Sequence, residues 1–186
     1  MTKRDNNRGS YEVTDLTSLE KLEPVRVRPG MYIGSTGTKG LHHCIWEILD
    51  NSIDELANGF GDKVVVTLNK DKSVTIEDNG RGIPTGIHPI KNKSGVEMVY
   101  TELHTGGKFN NSNYKTSGGL HGVGAAVVNA LSKWLEVEIK QKGNIYKQRF
   151  HYGYDKELNR DMPGTPETAL EIVGKTKETG SKTTFL

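Results

Sequence analysis

Cysteine is nearly absent from this 186-residue chain. The single residue, Cys44, excludes an internal disulfide framework and any zinc site built from several thiolates, and a reducing cytoplasm is the expected location. Long apolar runs are missing as well. No stretch of 18 or more apolar residues occurs and Met1 to Ser10 is polar and charged, so neither a membrane span nor a secretory signal is expected. An excess of one charge is also lacking. The 25 Lys and Arg against 23 Asp and Glu leave a net +2, too little for a chain that grips DNA tightly by itself. Several familiar site motifs are absent too. Gly107-Lys108 is followed by Phe109 rather than Ser or Thr, so there is no P-loop, and no strand-linked G-x-G-x-x-G, H-E-x-x-H or G-x-S-x-G is present.

What the chain does have is glycine in one region. Ten of its 22 glycines fall between Gly80 and Gly124, which marks loops rather than a fibre. Charged residues at 26% and a mean hydropathy of -0.60 describe a globular surface. The length suits one domain with a sizeable core.

Residues 1 to 12 read as a mobile polar arm, followed by a helical stretch from about Asp15 to Val25 that closes at Arg28-Pro29-Gly30. From Leu41 to Asn58 apolar residues recur at spacings of three and four, which predicts an amphipathic helix ended by Gly59 and Gly61. Val64 to Leu68 and Val74 to Glu77 predict a hairpin, Ser94 to His104 a helix, Thr105 to Ser117 a long loop, and Gly122 to Trp134 a second buried helix. Leu135 to Ile139 and Ile145 to Phe150 read as a hairpin around Lys142-Gly143. Residues 151 to 168 read as a polar surface excursion, and strands follow near Ala169 to Val173 and Thr183 to Leu186. Ending on an apolar strand suggests a piece of a longer protein.

Three features can carry chemistry. On the helix from Leu41, the residues His43, Glu47, Asp50, Asn51 and Asp54 fall within about 100° of one another, opposite the apolar stripe. That is either a solvated face or a site. A carboxylate beside an imidazole can orient a general base, and an amide oxygen can ligate Mg²⁺. The second feature is Asp78-Asn79-Gly80-Arg81-Gly82-Ile83-Pro84 at a strand end. It is either an ordinary turn or a carboxylate placed to accept from an exocyclic amine such as that of adenine. The third runs from Thr105-Gly106-Gly107-Lys108-Phe109 through Tyr114-Lys115 to Ser117-Gly118-Gly119-Leu120-His121-Gly122-Val123-Gly124, at a helix start. Glycine N–H groups and a helix N-terminus can cradle phosphates, with Lys108 and Lys115 as countercharges; a flexible glycine linker is the alternative.

Glu47 to Glu55, Asp78 to His88, Leu103 to Phe109 and Ser117 to Gly124 together resemble the ATPase domain of bacterial type IIA topoisomerase B subunits. These are the B subunits of DNA gyrase and topoisomerase IV, within the gyrase, heat-shock chaperone, histidine kinase and MutL superfamily. The resemblance covers about residues 11 to 186. It implies a two-layer α/β sandwich, a mixed and mainly antiparallel sheet with helices on one face. The implied division is an N-terminal arm over 1 to 22 and an ATP-binding domain over 23 to 186, with the transducer domain outside the chain.

The resemblance also implies roles. Glu47 is similar to the general base, His43 to its helper, Asn51 to the Mg²⁺ ligand, and Asp78 to the carboxylate that binds the adenine amine with help from the Ser181 hydroxyl. Gly82 would lie near adenine, and Arg81 would pair with Glu55 at the pocket mouth beside Pro84. Lys108, Tyr114, Leu120, His121, Gly122, Val123 and Gly124 match the lid over ribose and phosphates. Tyr11 sits where the family's arm enters the partner's nucleotide site. Implied cofactors are ATP and Mg²⁺. Implied partners are a second B subunit in an ATP-dependent dimer, the A subunit, DNA in the whole enzyme, and inhibitors of the ATP pocket.

Three features depart from the family. Gln141 stands where these proteins usually carry an arginine that contacts coumarin antibiotics. The segment 151 to 168 is longer than the usual connection. The family's catalytic lysine lies beyond Leu186. The wording of Tyr114 to Gly119 and Trp134 to Ile139 resembles the topoisomerase IV branch of low-GC Gram-positive bacteria. Two rivals stand beside the topoisomerase reading. A histidine kinase does not ordinarily pair a glutamate with an asparagine four residues on, and a nucleotide-sensing dimerisation module would bind without hydrolysing.

Overall fold

The computed structural model describes residues 13–105 and 122–186. The expected arm over 1 to 12 and nearly all of the Thr105 to Ser117 loop lie outside the described residues. The helices are α1 (Glu23–Val27), α2 (Gly30–Ile33), α3 (Thr38–Ala57), α4 (Gly95–Thr101) and α5 (Gly124–Leu131), and the strands are β1 (Val64–Leu68), β2 (Val74–Asp78), β3 (Trp134–Gln141), β4 (Asn144–Asp155), β5 (Arg160–Pro166), β6 (Glu171–Lys175) and β7 (Gly180–Phe185).

The strands form one sheet in the order β1-β2-β7-β3-β4-β5, with β6 also pairing β4. Every pairing among the described strands is antiparallel. β3 and β4 are joined through Lys142 at φ 51° and Gly143 at φ 79°. Two successive positive values are what the tight hairpin turn matching strand twist requires. Alternation along β3 sends Leu135, Val137 and Ile139 into the core, where Ile76 and Phe150 join them. The opposite face carries cross-strand ion pairs, Lys147 to Glu136 at 2.9 Å and Lys140 to Glu77 at 3.2 Å. One face is dry and the other wet, so helices cover one face only.

Burial extends all round α5, from Ala125 to Ala130. It contacts α3, α4, α1 and the β4–β5 hairpin, so small apolar residues suit every side of it. Ser94 caps α4 by accepting from the Glu97 N–H at 3.0 Å. Cys44 is a packing residue: burial pushes its thiol up to about 11, away from the reactive thiolate. Among the described residues no helix is long and apolar enough to cross a membrane.

Two segments differ from the sequence reading. The helix expected over Asp15 to Val25 is instead a single 3-10 turn, Val13–Asp15, with no regular structure until α1 begins at Glu23. Pro24 explains this. Its ring and missing N–H fit only the first turn of a helix, so the helix starts at the proline instead of ending on it. The excursion expected over 151 to 168 is a hairpin, the far half of β4 paired with β5, and Met162 to Thr165 are buried. Its polar composition hid one short apolar turn that inserts beneath α5.

Candidate functional site

α3, the exit of β2, the start of β7 and the first turn of α5 converge on one end of the sheet. Asp78 is the last residue of β2, and it is buried at 8% exposure. Its Oδ1 accepts from the Gly80 N–H at 2.9 Å and the Ser181 N–H at 3.2 Å, and its Oδ2 accepts from the Ser52 hydroxyl at 2.8 Å. Burial pushes the Asp78 carboxyl above its ordinary value, and the three donors offset part of that shift. Ser181 meets Asp78 through its backbone because β7 runs antiparallel beside β2, with Glu77 opposite Lys182.

Beyond Asp78 the chain turns back on itself. Gly82 has φ +78°, and a Cβ there would lie 3.0 Å from Ile139 Cγ2, so a side chain is disfavoured by both backbone and space. Arg81 grips Glu55 in a fork, Nε to Oε2 at 3.0 Å and Nη2 to Oε1 at 2.9 Å, and its guanidinium stacks 3.5 Å from the Phe60 ring centroid. Pro84 is exposed, and its carbonyl backs onto the start of α4, where a Cβ on Gly95 would approach within 2.3 Å. Gln141 reaches this loop from β3. Its Nε2 donates to the Arg81 carbonyl at 3.1 Å, and its Oε1 accepts from the Thr85 hydroxyl at 3.3 Å.

One turn apart on α3, His43 Nε2 and Glu47 Oε1 are 3.3 Å apart, with both side chains about one-third exposed (36% and 30%). Glu47 lies against the first residue of α5, Gly124, where a Cβ would come within 2.0 Å of Oε2 and 2.9 Å of Cδ. Asn51, one turn further along α3, is exposed. Asp54, predicted on the same polar face, is buried at 4% exposure, so the open part of that face ends at Asn51. The N–H of Thr105 donates to the Gly122 carbonyl at 3.1 Å, and Val123 accepts the first intrahelical bond of α5 from Val127 at 2.9 Å. Lys108, Tyr114, Leu120, His121 and Tyr11 lie outside the described residues.

Sequence reasoning missed Ser52, the bridging bonds of Gln141 and the contact of Gly124 with Glu47. A signal existed only for Ser52, a lone hydroxyl within the buried stripe of α3 between Ile48 and Glu55. Buried hydroxyls require partners, and this one's partner is Asp78. Among the described residues no group of three His, Cys, Asp or Glu could hold a metal ion. A divalent cation here would need to draw most of its oxygens from a ligand.

Residues 36–184 match the family described as histidine kinase-, DNA gyrase B-, and HSP90-like ATPase. The chain is 56% identical over 180 residues to the DNA topoisomerase 4 B subunit of Staphylococcus epidermidis and 57% identical over 180 residues to that of Staphylococcus aureus. Each alignment covers 97% of this chain and 26% of the relative, so the chain spans about a quarter of the length of the curated relatives it matches. It is also similar to the 43K ATPase domain of Thermus thermophilus gyrase B, solved in complex with an aminocoumarin. The TM-score is 0.71 at 40% identity, over 88% of this chain and 38% of that one.

Proposed function

The chain belongs to the histidine kinase-, DNA gyrase B-, and HSP90-like ATPase family, and from that premise we propose that it binds and hydrolyses ATP as part of a type IIA DNA topoisomerase B subunit, of the topoisomerase IV branch. The carrying observation is the Asp78 carboxylate. Its two oxygens offer about four acceptor positions, and three are taken by Ser52, Gly80 and Ser181. One acceptor remains on a buried carboxylate, a fit for the exocyclic amine of adenine and a mismatch for the guanine carbonyl. The Gly80 to Pro84 turn would form the floor beneath the base, with the Arg81–Glu55 fork at its mouth.

Midway along α3, Glu47 would hold the attacking water by accepting one of its protons, and would take that proton as the water oxygen bonds to the γ-phosphorus and the bond to ADP breaks. His43, 3.3 Å away, would orient the carboxylate. Glu47 reaches this position because Gly124 has no Cβ. The same absence would let a phosphate approach the start of α5, whose partial positive charge suits it. The exposed carboxamide of Asn51 fits a Mg²⁺ ion shared with the phosphates, and when bound the ion would neutralise charge that develops on them. Lys108, Tyr114, Leu120, His121, Gly122 and Val123 would form the lid.

In the whole enzyme, nucleotide binding would join two B subunits through the arm that carries Tyr11. The A subunit and DNA would be partners held mainly by parts outside this chain, in keeping with its net charge of +2. Pocket-directed inhibitors would compete at Asp78. The expected location is the cytoplasm.

The test is a titration of ATP against GTP, with and without Mg²⁺, on the wild type and Asp78→Asn. ATP should bind at least about tenfold more tightly than GTP to the wild type, the difference one charge-assisted hydrogen bond makes, and Asp78→Asn should erase the preference. Equal affinities in the wild type would remove the adenine reading.

A further inference from the structure

The hairpin of β4 and β5 has no place in the chemistry above, yet it is tied closely to the segment that leads out of the N-terminal arm. Arg160 forks Glu23, Nη1 to Oε1 at 2.6 Å and Nη2 to Oε2 at 2.8 Å. Lys21 reaches Asp155 at 2.5 Å and Glu157 at 2.7 Å. The Arg26 guanidinium lies 5.2 Å from the Tyr152 ring centroid while its Nη1 donates to the Ala130 carbonyl of α5 at 3.0 Å. Leu22, 1% exposed, presses against Gly164, where a Cβ would lie 2.7 Å from Leu22 Cδ1 and 2.7 Å from Asn129 Nδ2. Residues 21 to 26 are thus gripped at four points by one hairpin, far later in the chain.

The hairpin is built to hold this grip. Asp155 also accepts from the N–H groups of Glu157 at 3.0 Å and Leu158 at 3.1 Å, which fixes the tip. Thr165 donates its hydroxyl back to the carbonyls of Met162 and Gly153. Asn129 of α5 reaches the Gly164 carbonyl at 3.2 Å and the Tyr100 carbonyl of α4 at 2.8 Å. The hairpin, α5 and α4 therefore share one buried amide, and α5 begins at Gly124 beside Glu47.

We propose that the β4–β5 hairpin is a clasp on the root of the N-terminal arm, which fixes the point and direction at which the arm leaves the domain and so governs its engagement of a second copy of this chain. This rests on the reading that nucleotide binding joins two copies through the arm. Lys21, Glu23, Asp155 and Arg160 are positioning residues, with no contact to the candidate nucleotide site. A loose root would leave the arm to search many exits, an entropic cost on dimerisation that ATP binding to one copy does not carry.

The test uses the full-length protein with Arg160→Glu, Glu23→Arg and the double variant that restores the pair with signs exchanged. Three quantities are measured: amide hydrogen exchange over residues 20 to 28, ATP affinity under monomeric conditions, and dimer formation with a non-hydrolysable ATP analogue. Each single variant should speed exchange at the root and weaken analogue-driven dimerisation by about fivefold, the scale of a well-formed arginine fork at a surface, with ATP affinity unchanged. The double variant should recover most of both. Unchanged exchange in the single variants would overturn the clasp. Faster exchange with undiminished dimerisation would overturn its role in placing the arm. A wild-type protein that binds ATP but never dimerises would instead overturn the functional reading on which that role rests, while the exchange data would still judge the clasp itself.

Discussion

Replacing Gly124 with alanine should separate stability from turnover at this site. The added Cβ would lie 2.0 Å from Glu47 Oε2 and 2.9 Å from its Cδ. Ordinary contact begins near 3.4 Å, so the carboxylate must retreat by about 1.4 Å, the difference of the two distances. The Glu47 side chain is 30% exposed and can swing its carboxylate outward at about 0.5–1.5 kcal/mol for a poorer rotamer, while its Cβ, 3.0 Å from the added Cβ, does not rotate away and requires a small parting of α3 and α5. Alanine recovers part of this, because it is a better helix residue than glycine, by less at the first helical position than the roughly 1 kcal/mol of a helix interior. The melting temperature should therefore move by only a few degrees. Catalysis has no such compensation. A base displaced by about 1 Å loses roughly a hundredfold in rate, near 2.7 kcal/mol of barrier. The assay is steady-state ATP hydrolysis by the full-length protein, with a thermal melt on the same sample. A kcat within about threefold of wild type, in a variant that melts normally, would show that the Glu47 carboxylate beside Gly124 is not the group that activates water.

Glu47→Gln should retain ATP binding and lower kcat at least about a thousandfold, read by equilibrium titration and turnover on one preparation, since the amide keeps the shape and cannot accept the proton. Ser52→Ala removes a 2.8 Å bond to a buried carboxylate. A stability loss of about 1–2 kcal/mol is expected in denaturant melts, with weaker ATP binding as Asp78 loses its restraint. Asp78 also sets a pH dependence. Its carboxyl is raised by burial, so the folded state favours the protonated form. This contribution to stability is fully present below the unfolded carboxylate value and is lost as pH rises through the folded one. In the proposed adenine-reading role Asp78 acts in its ionised form. ATP affinity should therefore fall as pH drops through that raised value, above the ordinary carboxylate midpoint, and a flat profile over the same range is expected for Asp78→Asn.

Much of this molecule was legible because local pattern and tertiary outcome agree. The three-and-four spacing of Leu41, Cys44, Ile45, Ile48 and Leu49 required a helix, and α3 spans Thr38–Ala57. Val64 to Leu68 is a strand at the expected limits. Where the reading failed, local cues conflicted. Pro24 starts a helix where the reading placed the end of one, and the polar wording of 151 to 168 concealed a hairpin whose burial depends on α5 and Leu22. The face of α3 that carries Glu47 and Asn51 was visible in the sequence as a pattern. Its last member, Asp54, is covered, which depends on neighbours no helical wheel contains.

By itself the sequence determined the kind of element at most positions, the residues capable of acid-base and phosphate chemistry, and the family, because those depend on residue type and short spacing. Only the tertiary structure decided which groups meet. Ser52 and Ser181 flank Asp78 from 26 residues before it and 103 after it, and Gly124 makes room for Glu47. Gln141 holds the Arg81 carbonyl across 60 residues, and Arg160 closes on Glu23 across 137. Such pairings follow from strand order and helix packing. Contacts over those separations are chosen by the whole core at once, and no short window of sequence records them.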